Sequence, residues 1–137
     1  MFGGLLILWV IDGRIKKEQV LHALLAAGIA WGVAQIIKDL FPTVRPFELN
    51  GLIPLTLFPS SDGAFPSGHS AAAFALAATI WLTDKKVGSA FVVLALIVGV
   101  ARVWGNVHYP VDILGGAILG VATAFLIEKA HLRKLIP

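Results

Sequence analysis

The chain has 137 residues, 58% of them hydrophobic and only 14% charged, with a net charge of +3 and a mean hydropathy of +0.86. Soluble domains carry roughly 25% charged residues, so this composition argues against a water-soluble globule and for an integral membrane protein. No cysteine is present, which removes disulfides, thiolate metal sites and thiol chemistry.

The length fits one domain spanning residues 1–137. Nothing resembles a nucleic-acid patch, and there are no internal repeats or low-complexity tracts. The expected fold is all-α, a multi-pass transmembrane bundle of four clear membrane helices preceded by a short apolar segment.

That segment, Phe2 to Ile11, is too short to span a bilayer alone. It lacks a basic stretch before its apolar run and a small-residue cleavage site after it, so it reads as a half-helix or the end of a truncated helix rather than a signal peptide. The first long element runs from about Val20 to Phe41 and stops at Pro42. Its 22 residues span roughly 33 Å, enough to cross a hydrocarbon core. A second begins near Ser67 and continues through HSAAAFALAATIWLT. The third covers about Val87 to Trp104 and the fourth about Val111 to Ala130.

The connector from Pro42 to Pro66 is the only long loop, and it is rich in Leu, Ile and Phe as well as Pro, Gly and Ser. A loop so apolar is expected on the bilayer surface or folded over a site as a lid. Gly28-x-x-x-Gly32 and Gly116-x-x-x-Gly120 are small-residue spacings that permit close helix packing.

Basic residues set the orientation. Arg14, Lys16, Lys17, Lys85, Lys86, Lys129, Arg133 and Lys134 fall on one side if each long segment crosses once. Basic loops mark the cytoplasm. Lys38, Arg45 and Arg102 fall on the opposite, extracytoplasmic side. They belong to three polar islands beside the apolar segments: Lys38 with Arg45-Pro46, Pro66-Ser67-Gly68-His69, and Arg102 with His108 and Asp112. Ionisable groups near membrane segments are expensive and mark function.

The islands suit phosphate chemistry. Phosphoryl transfer spreads negative charge over three oxygens and needs fixed cations and N–H donors around them. Arg45 suits two-pronged contact with phosphate and Lys38 acts as a point charge; the bland alternative is a pair of anchors reaching to the headgroups. Ser67 reads as a helix N-cap whose free N–H groups form an anion site, with Gly68 permitting close backbone approach and His69 adding a titratable proton. A plain Pro-Ser-Gly cap with a chance histidine is the competing view. His108 and Asp112 stand four apart, so the carboxylate can orient one ring nitrogen and leave the other as a nucleophile. A His–Asp cap joining two helices would use the same spacing. His22 and His131 read as interfacial.

Together, Lys38-x6-Arg45-Pro46, Pro66-Ser67-Gly68-His69 and Arg102-x5-His108-x3-Asp112 resemble the three-part signature of the type 2 phosphatidic acid phosphatase (PAP2) superfamily. The likeness covers roughly residues 38–120. One departure is Ala101, where the family usually has a serine that supplies an accessory hydrogen bond. Membrane members commonly have six helices, more than are visible here.

The resemblance implies a metal-independent membrane phosphatase without cofactors, acting on lipid phosphates or diphosphates. Undecaprenyl diphosphate, phosphatidylglycerol phosphate and phosphatidic acid are all substrates within the superfamily, and a polyprenyl diphosphate is preferred. By the same resemblance, His108 attacks phosphorus to form a phosphohistidine, Asp112 orients it and His69 protonates the leaving oxygen. Lys38, Arg45, Arg102, Ser67 and Gly68 hold the phosphoryl oxygens. Three alternatives stay open: a phosphotransferase with a lipid diphosphate donor, a non-catalytic relative that binds lipid phosphates, and a vanadate-dependent haloperoxidase, against which the hydrophobicity speaks.

Overall fold

Small residues decide how this bundle closes. In the computed structural model, residues 17–57 and 61–135 are described, with Gly3. They form α1 (Lys17–Leu40), α2 (Pro46–Asn50), α3 (Gly68–Thr83), α4 (Lys85–Trp104) and α5 (Pro110–Leu135). The apolar segment Phe2 to Ile11 and the basic Arg14 and Lys16 lie outside the described residues.

The expected all-α architecture holds, with a different count of spans. Among the described residues, three helices are long and apolar enough to cross a membrane: Glu18–Leu40, Lys85–Trp104 and Pro110–Ala130. The remaining expected span, the second in chain order, is α3, which has 16 residues and covers only about 24 Å. Both of its ends are fixed locally. The Ser67 hydroxyl accepts from the Ser70 N–H at 3.3 Å. At the other end the Asp84 N–H donates to Ile80 O, while its carboxylate accepts from the N–H groups of Lys86 and Val87 to start α4 at once.

A short helix suffices because α3 is the hub, packed against α1, α4 and α5. Its buried face is largely alanine, Ala71, Ala73, Ala75 and Ala77, meeting Ala23, Ala26, Ala27, Ala30 and Ala34 of α1. Between membrane helices the gain comes from close van der Waals contact, which small side chains allow. Along α5 the contact is closer still. A Cβ on Gly116 would stand 2.5 Å from Ser67 O, and one on Gly120 would collide with Ala71 O. The Gly116/Gly120 spacing therefore serves internal packing. Gly28 and Gly32 do not, since a Cβ on either meets open space.

Among the described residues α1 and α4 make no contact with each other. The gap leaves an apolar groove of about 470 Å³, walled by Leu24, Gly28 and Trp31 of α1 and Val98 of α4, with Ala72 and Leu76 of α3 in its floor.

α2 was not foreseen. Five residues are too few for a periodic signal, and its stabilisers are local: Pro46 at its first position, the Arg45 N–H donating to Glu48 Oε2 at 2.8 Å, and Gly51 closing it at a φ of 67°.

Candidate active site

The helix ends gather the polar islands at one end of the bundle. Lys38 lies in the last turn of α1, Arg45 precedes α2, His69 opens α3, Arg102 ends α4, and His108 sits in the turn before α5. Lys38, Arg45, Gly68, His69, Arg102 and His108 line one polar cavity of about 270 Å³, joined by Trp31, Gln35, Thr56 and Asp62. Ser67 and Asp112, also expected in the site, are buried and absent from the lining.

The cavity is recessed. A Cβ on Gly68 would meet Trp31 Cδ1 at 3.1 Å and Gln35 Oε1 at 3.4 Å. These α1 residues lie five and nine positions before Leu40, so α3 begins roughly 7–13 Å below the end of its neighbour. Gly68 thus serves helix packing as well as the cavity wall.

Asp62 is the residue that sequence reasoning missed. Its Oδ2 accepts from Lys38 Nζ at 2.9 Å and from Gln35 Nε2 at 3.2 Å, while its Oδ1 accepts from Arg45 Nη2 at 2.6 Å. Lys38 and Arg45 keep only 5% and 2% exposure, so the carboxylate balances two buried cations. A lone Asp in a Ser-Ser-Asp-Gly stretch has no spacing that ties it to residues 17 and 24 positions away.

Arg45 is tied to the protein on several sides. Nε donates to Asp62 O at 3.0 Å, Nη1 to Val107 O at 3.1 Å and Nη2 also to Gly63 O at 3.4 Å. These bonds strap the loop to the His108 turn and hold the positive charge of Arg45 in the cavity wall. Arg102 is the contrast: its Nε is buried with no hydrogen-bond partner.

His108 is buried, with Nδ1 3.4 Å from Asp112 Oδ2. That separation places the ring beside the carboxylate without a closed hydrogen bond, and Nδ1 has no hydrogen-bond partner. Asp112 Oδ2 accepts from the Tyr109 N–H at 2.8 Å, which fixes the carboxylate at the start of α5. The Asp112 carbonyl accepts from the Ser67 N–H at 2.9 Å, tying the caps of α3 and α5 together. Burial pushes the His108 imidazole below its usual value; Asp112 pulls it up, and Arg45 and Arg102 push it down.

His69 lines both spaces, the polar cavity and the apolar groove, and Trp31 does the same. An amphiphile with its anionic head among Lys38, Arg102 and His108 would therefore have an apolar exit beside His69. Ala101 is not part of this arrangement, since it lines an outer apolar surface with Val100 and Trp104.

A model of the PAP2 superfamily matches residues 19–135. The chain is 32% identical over 124 residues to the bacitracin transport permease protein BcrC of Bacillus licheniformis, covering 90% of this chain and 61% of that protein. It is 31% identical over 126 residues to the undecaprenyl-diphosphatase BcrC of Bacillus subtilis, covering 89% and 63%. The chain thus spans about three fifths of the length of these relatives. The crystal structure of Aquifex aeolicus LpxE superposes with a TM-score of 0.76 at 29% identity, over 93% of this chain and 75% of that one. The transmembrane PAP2-type phosphatidylglycerolphosphate phosphatase of Bacillus subtilis does so with a TM-score of 0.66 at 27% identity, over 98% and 66%.

Proposed function

This chain belongs to the PAP2 superfamily, and we propose that it is a membrane phosphatase that hydrolyses a lipid phosphate or diphosphate, with undecaprenyl diphosphate the favoured substrate. One observation carries the reading: Lys38, His69, Arg102 and His108 line one recessed polar cavity that shares His69 and Trp31 with an apolar groove. That layout suits a substrate with a charged head and a long apolar tail. The similarity to the undecaprenyl-diphosphatase of Bacillus subtilis supports the choice of lipid.

In this scheme His108 Nε2 attacks phosphorus while the bond to the leaving oxygen breaks, and His69 gives that oxygen its proton. A P–N bond now holds the phosphoryl group. Water then attacks phosphorus, His69 takes the water's proton, and inorganic phosphate leaves with His108 restored. Asp112 holds the ring through Nδ1 and balances its charge as the bond forms. Lys38 and Arg102 face the phosphoryl oxygens, Arg45 adds positive charge from the cavity wall, and the first N–H groups of α3 beyond Ser67 and Gly68 complete the cradle. The scheme draws its positive charge from side chains and needs no metal ion.

Lys85, Lys86 and Lys129 lie at the end of the bundle away from the cavity. Under the positive-inside rule this supports an extracytoplasmic cavity. The test is phosphate release by detergent-solubilised protein in EDTA, on undecaprenyl diphosphate, phosphatidic acid and phosphatidylglycerol phosphate, beside His108→Ala. Release that survives EDTA and vanishes in the variant is expected. Absence of release from folded protein on all three lipids would overturn the reading.

A further inference from the structure

The loop that follows α2 presents Leu49, Leu52, Ile53, Leu55 and Leu57 outward, with Ile53 86% and Leu57 91% exposed. No charged residue occurs from Leu49 to Ser61. Five large aliphatic side chains in nine residues are far more than a water-facing loop tolerates.

The same loop pairs its polar groups with one another and with the Asn106 turn. Asn50 Nδ2 donates to Asn106 Oδ1 at 2.8 Å, and Asn106 Nδ2 returns a bond to Asn50 Oδ1 at 3.1 Å and reaches Leu52 O at 3.4 Å. The Leu52 N–H donates to Asn50 Oδ1 at 2.9 Å, and the Leu55 N–H to Gly105 O at 3.0 Å. Asn106 holds a left-handed φ of 60°, which asparagine tolerates better than most residues. Each polar group paired within the protein, beside exposed apolar side chains, lowers the cost of entry into a lipid layer.

The loop is also continuous with a lipid-facing surface. Leu55 is bonded beside Trp104, itself 80% exposed at the end of α4, and Leu40, Phe41 and Val44 are exposed where α1 gives way to the loop. Thr56 of the same loop lines the polar cavity. The loop is thus no lid of apolar side chains over the site; it flanks the mouth and points its aliphatic groups away.

We propose that residues 49–57 are a lipid-docking surface that seats in the bilayer at the mouth of the polar cavity. Through Asn50, Leu55 and the Asn106 turn, it fixes His108 at the depth of the lipid headgroups. The docking stands on the loop alone; only its effect on turnover rests on the phosphatase reading.

Because the chain has no cysteine, Ile53→Cys provides a single labelling site. A nitroxide there, in vesicles of phosphatidylethanolamine and phosphatidylglycerol, is expected to collide with oxygen more than with a water-soluble nickel chelate. A water-like collision ratio would overturn the proposal. So would dipolar broadening that disappears on dilution with unlabelled protein, which would make a second copy the occupant. In a second arm, Ile53→Asp with Leu57→Asp is expected to lower kcat/KM on a vesicle-borne lipid phosphate about tenfold while leaving hydrolysis of a soluble aryl phosphate within about twofold. Equal loss on both substrates, or none on the lipid, would contradict the proposal. If the wild-type protein hydrolyses neither substrate, the phosphatase reading fails and the nitroxide measurement alone decides the docking.

Discussion

Replacing Asp62 by Asn removes the negative charge that bridges Lys38 and Arg45 while keeping the side chain's shape. Both cations are nearly buried, at 5% and 2% exposure, and their bonds to the carboxylate are 2.9 and 2.6 Å. Breaking a fully buried pair costs about 3–5 kcal/mol. Asp62 keeps 22% exposure, and both water and the Asn carbonyl replace part of the loss, so about 2 kcal/mol is expected. For a chain of this size that lowers Tm by roughly 5–8 °C, followed by tryptophan fluorescence in detergent. Inorganic phosphate supplies the second half of the test. At about 100 times its Kd a ligand adds about 2.7 kcal/mol. In Asp62→Asn the anion meets two cations with no carboxylate between them, so the same rise in Tm is expected at a lower phosphate concentration than in the wild type. An unchanged Tm, or phosphate titrations that superimpose, would refute the charge-balancing role of Asp62.

Three further outcomes follow from the geometry. Asp112→Asn keeps the cap on Tyr109 available but loses the charge beside Nδ1, and turnover of lipid phosphate is expected to fall on the order of 10³-fold or more; a near wild-type rate would remove the carboxylate from the mechanism. Because burial holds His108 below its usual 6.5, the ring stays neutral at pH 7 and kcat/KM is expected to fall toward acid with a midpoint below 6.5. Asp112 raises that value, so the residual activity of Asp112→Asn should show a midpoint at still lower pH, and a midpoint above 6.5 in the wild type would contradict the assignment. Gly120→Val forces a side chain against Ala71 O and Ala75 N, so α3 and α5 must separate. A loss of about 1–3 kcal/mol or more, read as a lower Tm, is expected, whereas Gly28→Ala, with open space around its Cβ, should unfold with the wild type.

The helices and the site were legible in this sequence to different depths. Long apolar runs announce α1, α4 and α5, and Pro42, Ser67 and Gly105-Asn106 mark where they break, so the ends gathering Lys38, His69, Arg102 and His108 follow from local rules. Apolarity alone could not reveal that α3 stops short of a full span. Its length is set by two caps, and its alanines read the same whether they face lipid or helix. Gly28 and Gly116 carry the same spacing signal, yet one opens a groove and the other seals a crossing, a difference that exists only after helices choose partners. Asp62 and the fork of Arg45 stayed hidden for a related reason. Their bonds join residues brought together by the loop's path, to Lys38 on one side and Val107 on the other.

The most direct test of the account is to trap the phosphoryl group on the protein. Detergent-solubilised protein is mixed with 32P-labelled undecaprenyl diphosphate, quenched rapidly in alkali, and mapped by mass spectrometry beside His108→Ala. The account expects an alkali-stable, acid-labile phosphate on His108 that is absent from the variant. Label on His69 instead, or turnover by wild-type protein in which no phosphohistidine forms, would contradict it.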